Sequence, residues 1–121
     1  MKYIIDLIED VREEPGKQED FVLTAMLLKK HPEDPEKLTY AGESPLNQFY
    51  LDDVDRKLIF KIDGSESRIT VEELIPSLLI LDMDMMMYRL KMDVNADYDD
   101  IDVIGFGTSA EEKKYILFIK M

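Results

Sequence analysis

Cysteine is missing from all 121 residues, which excludes disulfide cross-links, thiolate metal sites and cysteine nucleophiles. Tryptophan is missing too, and there is one histidine, His31. It lies in Lys29–Glu36, a stretch with two prolines and a high density of charge that reads as a loop. A general base needs a positioned partner, and the residues around His31 supply none, so it is expected to be an ordinary exposed loop side chain. Long apolar runs are lacking as well. None approaches the ~20 residues that a membrane-spanning helix needs, and the opening Met1–Asp6 turns acidic without a signal-peptide apolar region. A cytoplasmic protein is the expectation.

Basic residues are scarce: 15 Lys and Arg stand against 27 Asp and Glu, a formal net charge of −12. Affinity for nucleic acid rests largely on Lys and Arg displacing counterions from phosphates, and anionic membrane surfaces attract polybasic segments. Neither partner suits this chain. A field of negative sign speeds encounter with a cationic protein, although acidity also serves solubility alone. The 45% hydrophobic content suits a globular fold, and the length suits one domain, 1–121, burying about two-thirds of its unfolded surface.

The stretch from Arg68 to Ile104 organises the rest. Thr70-Val71-Glu72-Glu73 has the form of a capping box, and Val71, Leu74, Ile75, Leu78 and Leu79 recur at helical spacing, predicting a helix over 71–81. Pro76 falls inside it and predicts a kink or a late start. From Tyr88 the period becomes two, so Tyr88, Leu90, Met92 and Val94 are expected to be buried and Arg89, Lys91 and Asp93 exposed. Met83, Met85 and Met87 occupy the parity that later turns polar. The favoured expectation is that they are buried under the preceding helix; the alternative is that they lie open to a partner.

Elsewhere, Tyr3, Ile4, Leu7, Ile8 and Val11 predict an amphipathic helix over 2–14, ended by Pro15-Gly16. Phe21–Leu28 suits a buried strand, with helix as the open alternative. Lys37–Ala41 reads as a short strand and Gly42–Pro45 as a turn. Asn47–Leu51 and Lys57–Ile62 read as a hairpin across Asp52–Arg56, with Asp63-Gly64 as a further turn. Ser67–Thr70 is a candidate to pair back before the helix. Ile101–Phe106 and Tyr115–Lys120 read as the last strands, joined by the polar connector Gly107–Lys113. Gly105 and Gly107 flank Phe106 without the third glycine of a nucleotide fingerprint, so a bulge or close backbone approach is expected. The predicted class is α+β: an antiparallel or mixed sheet of about six to seven strands with a long C-terminal meander and two helices.

Asp93, Asn95, Asp97 and Asp99 occupy the first, third, fifth and seventh places of a calcium loop, but Tyr98 stands where the turn needs Gly and Ile104 where a bidentate Glu should close the shell. No metal and no cofactor are expected. Paired carboxylates abound, yet acid–base work needs one of them desolvated with a shifted pKa, and no nucleophile motif is present; an enzyme is not expected. The expected function is protein binding. Asp93, Asp97, Asp99, Asp100 and Asp102, with Asp52, Asp53 and Asp55, are the candidate partner-binding residues. The partner would be a basic toxin, such as a nuclease, whose active site an immunity-type or antitoxin-type inhibitor occludes with its carboxylates. The alternative is an accessory or adaptor subunit that binds through a sheet edge or the Met-rich end.

Overall fold

The computed structural model describes residues 1–13, 19–94 and 98–120. In chain order these form α1 (Ile4–Arg12), β1 (Val22–Lys30), β2 (Leu38–Pro45), β3 (Gln48–Asp52), β4 (Lys57–Ile62) and α2 (Val71–Leu79). A short 3-10 helix (Met83–Met87), β5 (Arg89–Val94), β6 (Tyr98–Ser109) and β7 (Lys114–Lys120) follow. The fold is α+β. Seven strands make one mixed sheet in the order β2-β1-β7-β6-β5-β4-β3. The pairs β1–β7 and β4–β5 are parallel, and β5, β6 and β7 form the antiparallel C-terminal meander.

Each helix forms because its apolar residues fall on one stripe that the sheet can cover. α1 buries Ile4, Leu7 and Ile8, and α2 buries Val71, Leu74 and Leu78. These side chains share one core with Leu23, Phe60, Leu90, Met92, Tyr115 and Leu117 from the strands. Main-chain bonds lock the helix entries in place. Ile4 N–H donates to the Tyr88 carbonyl at 3.0 Å and Leu90 N–H to that of Lys2 at 2.8 Å, so the start of α1 is stitched to β5. Leu23 N–H donates to the Ile69 carbonyl at 2.8 Å and Val71 N–H to that of Phe21 at 3.0 Å, which joins the entry of α2 to β1. The segment before α2 thus pairs back as anticipated, with a bridge between Val22 and Thr70. At the far end of α1, the Tyr115 hydroxyl donates to Asp10 Oδ2 at 2.6 Å. Burial, and after it this carboxylate, hold the phenol well above its ordinary pKa.

The Thr70 hydroxyl caps α2 by accepting from Glu73 N–H at 3.3 Å. The helix begins at Val71, so Pro76 does not delay it. The carbonyl that Pro76 leaves without an amide belongs to Glu72, an exposed residue whose backbone water can satisfy.

Four predicted elements differ. Gly42–Pro45 is not a turn but the second half of edge strand β2. Leu27 pairs with Gly42 and Leu28 with Tyr40, leaving Ala41 as a bulge, and Pro45 is tolerated because an edge strand has a free side. The connector after Phe106 starts later, since Gly107, Thr108 and Ser109 remain in β6. The alternating run from Tyr88 is divided between two antiparallel strands, β5 (Arg89–Val94) and β6 from Tyr98, with Val94 paired to Tyr98. Met83–Met87 is a 3-10 helix, not the start of a strand. Met83 and Met87 are 87% and 61% exposed, Met85 is half-buried, and Met86 is the one that packs on the core. The burial expected for these methionines is therefore corrected. The connector between α2 and β5 needs one side chain as an anchor, and Met86 serves.

Gly105 and Gly107 behave as predicted. Ile104 is an extra residue in the β6–β7 ladder, and Phe118 of β7 lies over the gap the glycines leave. A Cβ at Gly107 would come 2.9 Å from the Phe118 ring.

Candidate functional site

The helices cover one sheet face; the other carries a grid of charge over β3, β4, β5 and β6. Register builds it. Tyr50 pairs with Ile59, Ile59 with Lys91, and Lys91 with Asp102, giving one row across four strands. On one side of that row stand Asp52, Lys57 and Arg89, and on the other Gln48, Lys61 and Asp93. Opposite charges on neighbouring strands attract across the 4.5–5.5 Å that separates directly opposed Cβ atoms.

Lys91 is the centre of the grid, and it corrects the sequence expectation. It is 5% exposed, not solvent-facing. Its strand is third from the β3 edge of the sheet, so neighbours crowd it from both sides, and Ile59 beside it is buried too. A buried ammonium needs compensation. Lys91 Nζ stands 2.8 Å from Asp102 Oδ1 and 3.7 Å from Asp100 Oδ1, and donates to the Asp100 carbonyl at 3.4 Å. The contact with Asp102 is ionic and lacks hydrogen-bond geometry, and among the described residues the shielded Asp102 Oδ1 has no hydrogen-bond partner. Leu90 and Met92, on the opposite parity, are fully buried as predicted, whereas Tyr88, Arg89, Asp93 and Val94 are all half-buried.

Asp100 is placed by a bulge. Residues 99 and 100 of β6 oppose Asp93 alone on β5, and Asp100 takes φ +57°, a region Asp tolerates better than most residues. Asp93 Oδ1 accepts from the Asp100 N–H at 3.2 Å and so ties the bulge to β5. The Asp100 carboxylate then meets Lys57 Nζ at 2.6 Å. That hydrogen bond first, with the charge of Lys91 after it, holds the Asp100 carboxyl below the usual aspartate range. The same bond raises Lys57. Tyr50 donates to Asp93 Oδ2 at 3.3 Å, and desolvation followed by this carboxylate pushes the phenol up.

The turn between β3 and β4 adds its own carboxylates to the same edge. Asp52 Oδ1 accepts from the N–H groups of Val54 and Asp55, both at 3.1 Å, and Arg56 takes φ +56° to close the loop. Asp53 is exposed and accepts from the Tyr88 hydroxyl at 3.1 Å, which fastens the turn to the start of β5. Asp52, Asp55, Asp93 and Asp100 line a shallow depression of about 200 Å³ with Tyr50, Lys57, Ile59 and Lys91. The fold thus brings together six sequence-selected residues: Asp52, Asp53, Asp55, Asp93, Asp100 and Asp102. Asp97 and the Asp99 side chain lie outside the described residues.

Sequence reasoning missed the cations. Lys57 on β4 and Arg89 and Lys91 on β5 stand among the carboxylates, so the acidic face is a neutralising network with excess negative charge and not a bare acidic cluster. The alternating run shows Lys91 sharing a face with Arg89 and Asp93, but nothing in it signals that this face is crowded enough to bury an ammonium. His31 does lie in a loop, and its Nδ1 accepts from the Glu33 N–H at 3.1 Å. Among the described residues no group of three or more His, Asp and Glu converges as a metal site, and no helix is long and apolar enough to cross a membrane. No family model matches the chain, and comparisons with curated proteins and with solved structures likewise give no significant match.

Proposed function

We propose that this is a non-enzymatic, acidic protein-binding domain whose β3–β6 face meets a cationic protein, in the manner of an immunity-type or antitoxin-type inhibitor that occludes a basic active site. One observation carries the reading. Four carboxylates, Asp52, Asp93, Asp100 and Asp102, are fixed by hydrogen bonds, ion pairs with Lys57 and Lys91, and a bulge on the sheet face that the helices leave open, with Asp55 lining the same depression. A solubility coat needs no such order. Fixed carboxylates bind a cationic surface with less ordering cost than mobile ones, and complementary charge gives rate and register.

The depression between them is small and polar-lined, unlike the larger apolar clefts that hold small ligands, which favours a protein surface as the thing bound. A cytoplasmic location suits an inhibitor that must meet its target inside the cell. The test is affinity capture from native cells, using the full chain as bait at low and high salt. The captured protein is expected to be basic and to be lost as salt rises. An acidic or neutral partner whose retention ignores salt would reject the electrostatic reading.

The second reading, an adaptor subunit, has its own support in the exposed Met83 and Met87. The sheet edges support it less. β2 carries a bulge and Pro45, and β3 spans only Gln48–Asp52, both features that blunt strand addition.

A further inference from the structure

Exposed large apolar side chains are scattered singly on most proteins; here they concentrate. Within the nine residues from Leu79 to Met87, Leu79 is exposed, Ile80 is 84% exposed, and Met83 and Met87 stand out as described above. Val54 projects from the β3–β4 turn at 91% exposure. The turn and the 3-10 helix lie at one end of the molecule. Tyr88, directly after that helix, bonds Asp53 of the turn, Arg89 N–H donates to the Arg56 carbonyl at 3.2 Å, and a cleft of about 330 Å³ opens between Arg56, Asp84, Met87 and Tyr88.

We propose that this apolar end, with Met87 in the Arg56–Tyr88 cleft and Val54, Ile80 and Met83 exposed on the adjoining turn and connector, is the docking surface for a cationic segment of a protein partner that carries apolar side chains along one side. The surface rests on the proposal that the adjoining carboxylates meet a cationic protein, and it adds the part of the interface that holds the partner once charge has delivered it.

Charge selects this occupant. Exposed Asp53, Asp55, Asp82 and Asp84 stand among the apolar side chains, with Arg56 the cation of the cleft. A second copy of the chain would set these carboxylates against their own kind, and like-charge juxtaposition across an interface costs several kcal/mol. An anionic lipid surface meets the same repulsion. A segment with Lys or Arg beside Leu or Phe satisfies both features at once. Methionine suits such a surface because its unbranched, polarisable side chain re-packs around varied shapes. The cleft offers a seat for one side chain of the segment.

The test uses the full chain labelled at its methionine methyls and three synthetic 18-residue probes: a helical amphipathic Lys/Leu peptide, a Lys/Gly peptide of equal charge, and a Glu/Leu peptide. The Lys/Leu peptide is expected to shift the Met83 and Met87 methyl resonances and to bind at least tenfold tighter than the Lys/Gly peptide, with the Glu/Leu peptide not binding. Met83→Ser with Met87→Ser should bring the Lys/Leu affinity down to that of Lys/Gly. Both side chains stand in water, so this variant keeps its fold, and an unchanged amide spectrum checks that. Equal affinity for the two cationic peptides, or unmoved Met83 and Met87 methyls, overturns the docking surface while salt-sensitive binding of both leaves the acidic face standing. Binding of neither cationic peptide rejects both proposals. Sedimentation showing a dimer that Met83→Ser/Met87→Ser abolishes would assign the surface to a second copy and overturn the cationic partner.

Discussion

Removing the carboxylates around Lys91 should cost far more than removing Lys91 itself. In Asp100→Asn/Asp102→Asn the ammonium keeps its buried position, with 6% of its side chain exposed, and loses both anions. Its remaining partners are neutral, the Asp100 backbone carbonyl at 3.4 Å and the amide oxygens of the new side chains. Stripping one side of a fully buried ion pair costs about 3–5 kcal/mol. The two aspartates are 53% and 42% exposed, so water follows them in part, and the discount for screening brings the expectation to ~2 kcal/mol. At ~4 °C per kcal/mol for a chain of this size, the melting temperature should fall by roughly 8 °C. Lys91→Met leaves the carboxylates half in water with Lys57 still on Asp100 and an apolar side chain beside Ile59, and should change stability by less than ~1 kcal/mol. Urea unfolding of the two variants measures both. A Lys91→Met loss exceeding that of the double aspartate variant, or a double-variant loss under ~0.5 kcal/mol, would show that the cluster is not held by a buried charge.

Leu90→Ala, emptying a fully buried site in the central core, should cost about 2–5 kcal/mol in the same unfolding assay, and a loss under 1 kcal/mol would contradict its placement. Gly107→Ala should cost about 1–3 kcal/mol through the close approach to the Phe118 ring, and Phe118→Leu in the same chain should recover part of it. Acid should destabilise the fold in a defined window. Asp20, Asp63 and Asp100 have lowered folded-state pKa values, so their contribution is present above the unfolded aspartate value of ~3.9 and is lost as pH falls through the lower folded values. Melting temperatures taken from pH 5 down to pH 2 should decline chiefly below about 4, and Asp100→Asn should flatten that decline.

The helices were legible because each buries a single stripe, and Ile4, Leu7, Ile8 and Val71, Leu74, Leu78 declare it at a spacing no strand shares. The β3–β4 hairpin was legible from its acidic connector, and the close approach over Gly107 from the glycine alone. Lys91 was not legible. Alternation says which residues share a face but not how crowded that face is, and the crowding comes from a strand order set by pairings far apart in sequence. The Asp100–Lys57 bond spans 43 residues for the same reason. Met83–Met87 misled because a 3-10 turn is too short to impose a visible period. Gly42 and Pro45 carried turn chemistry into an edge strand, where a bulge and a missing donor cost little.

The acidic face is tested most directly by the salt dependence of its association rate. The captured partner and the full chain are mixed by stopped flow over a range of sodium chloride, beside Asp52→Asn/Asp53→Asn/Asp55→Asn. Asn retains the oxygen that accepts from Val54 and Asp55 in the turn, so charge is removed with the loop kept. The native chain should associate fastest at low salt and slow steeply as the screening length falls to ~8 Å near physiological ionic strength. The triple variant should start slower and fall less steeply. Identical rates and identical slopes for the two proteins would mean that these carboxylates serve solubility and that the partner binds elsewhere.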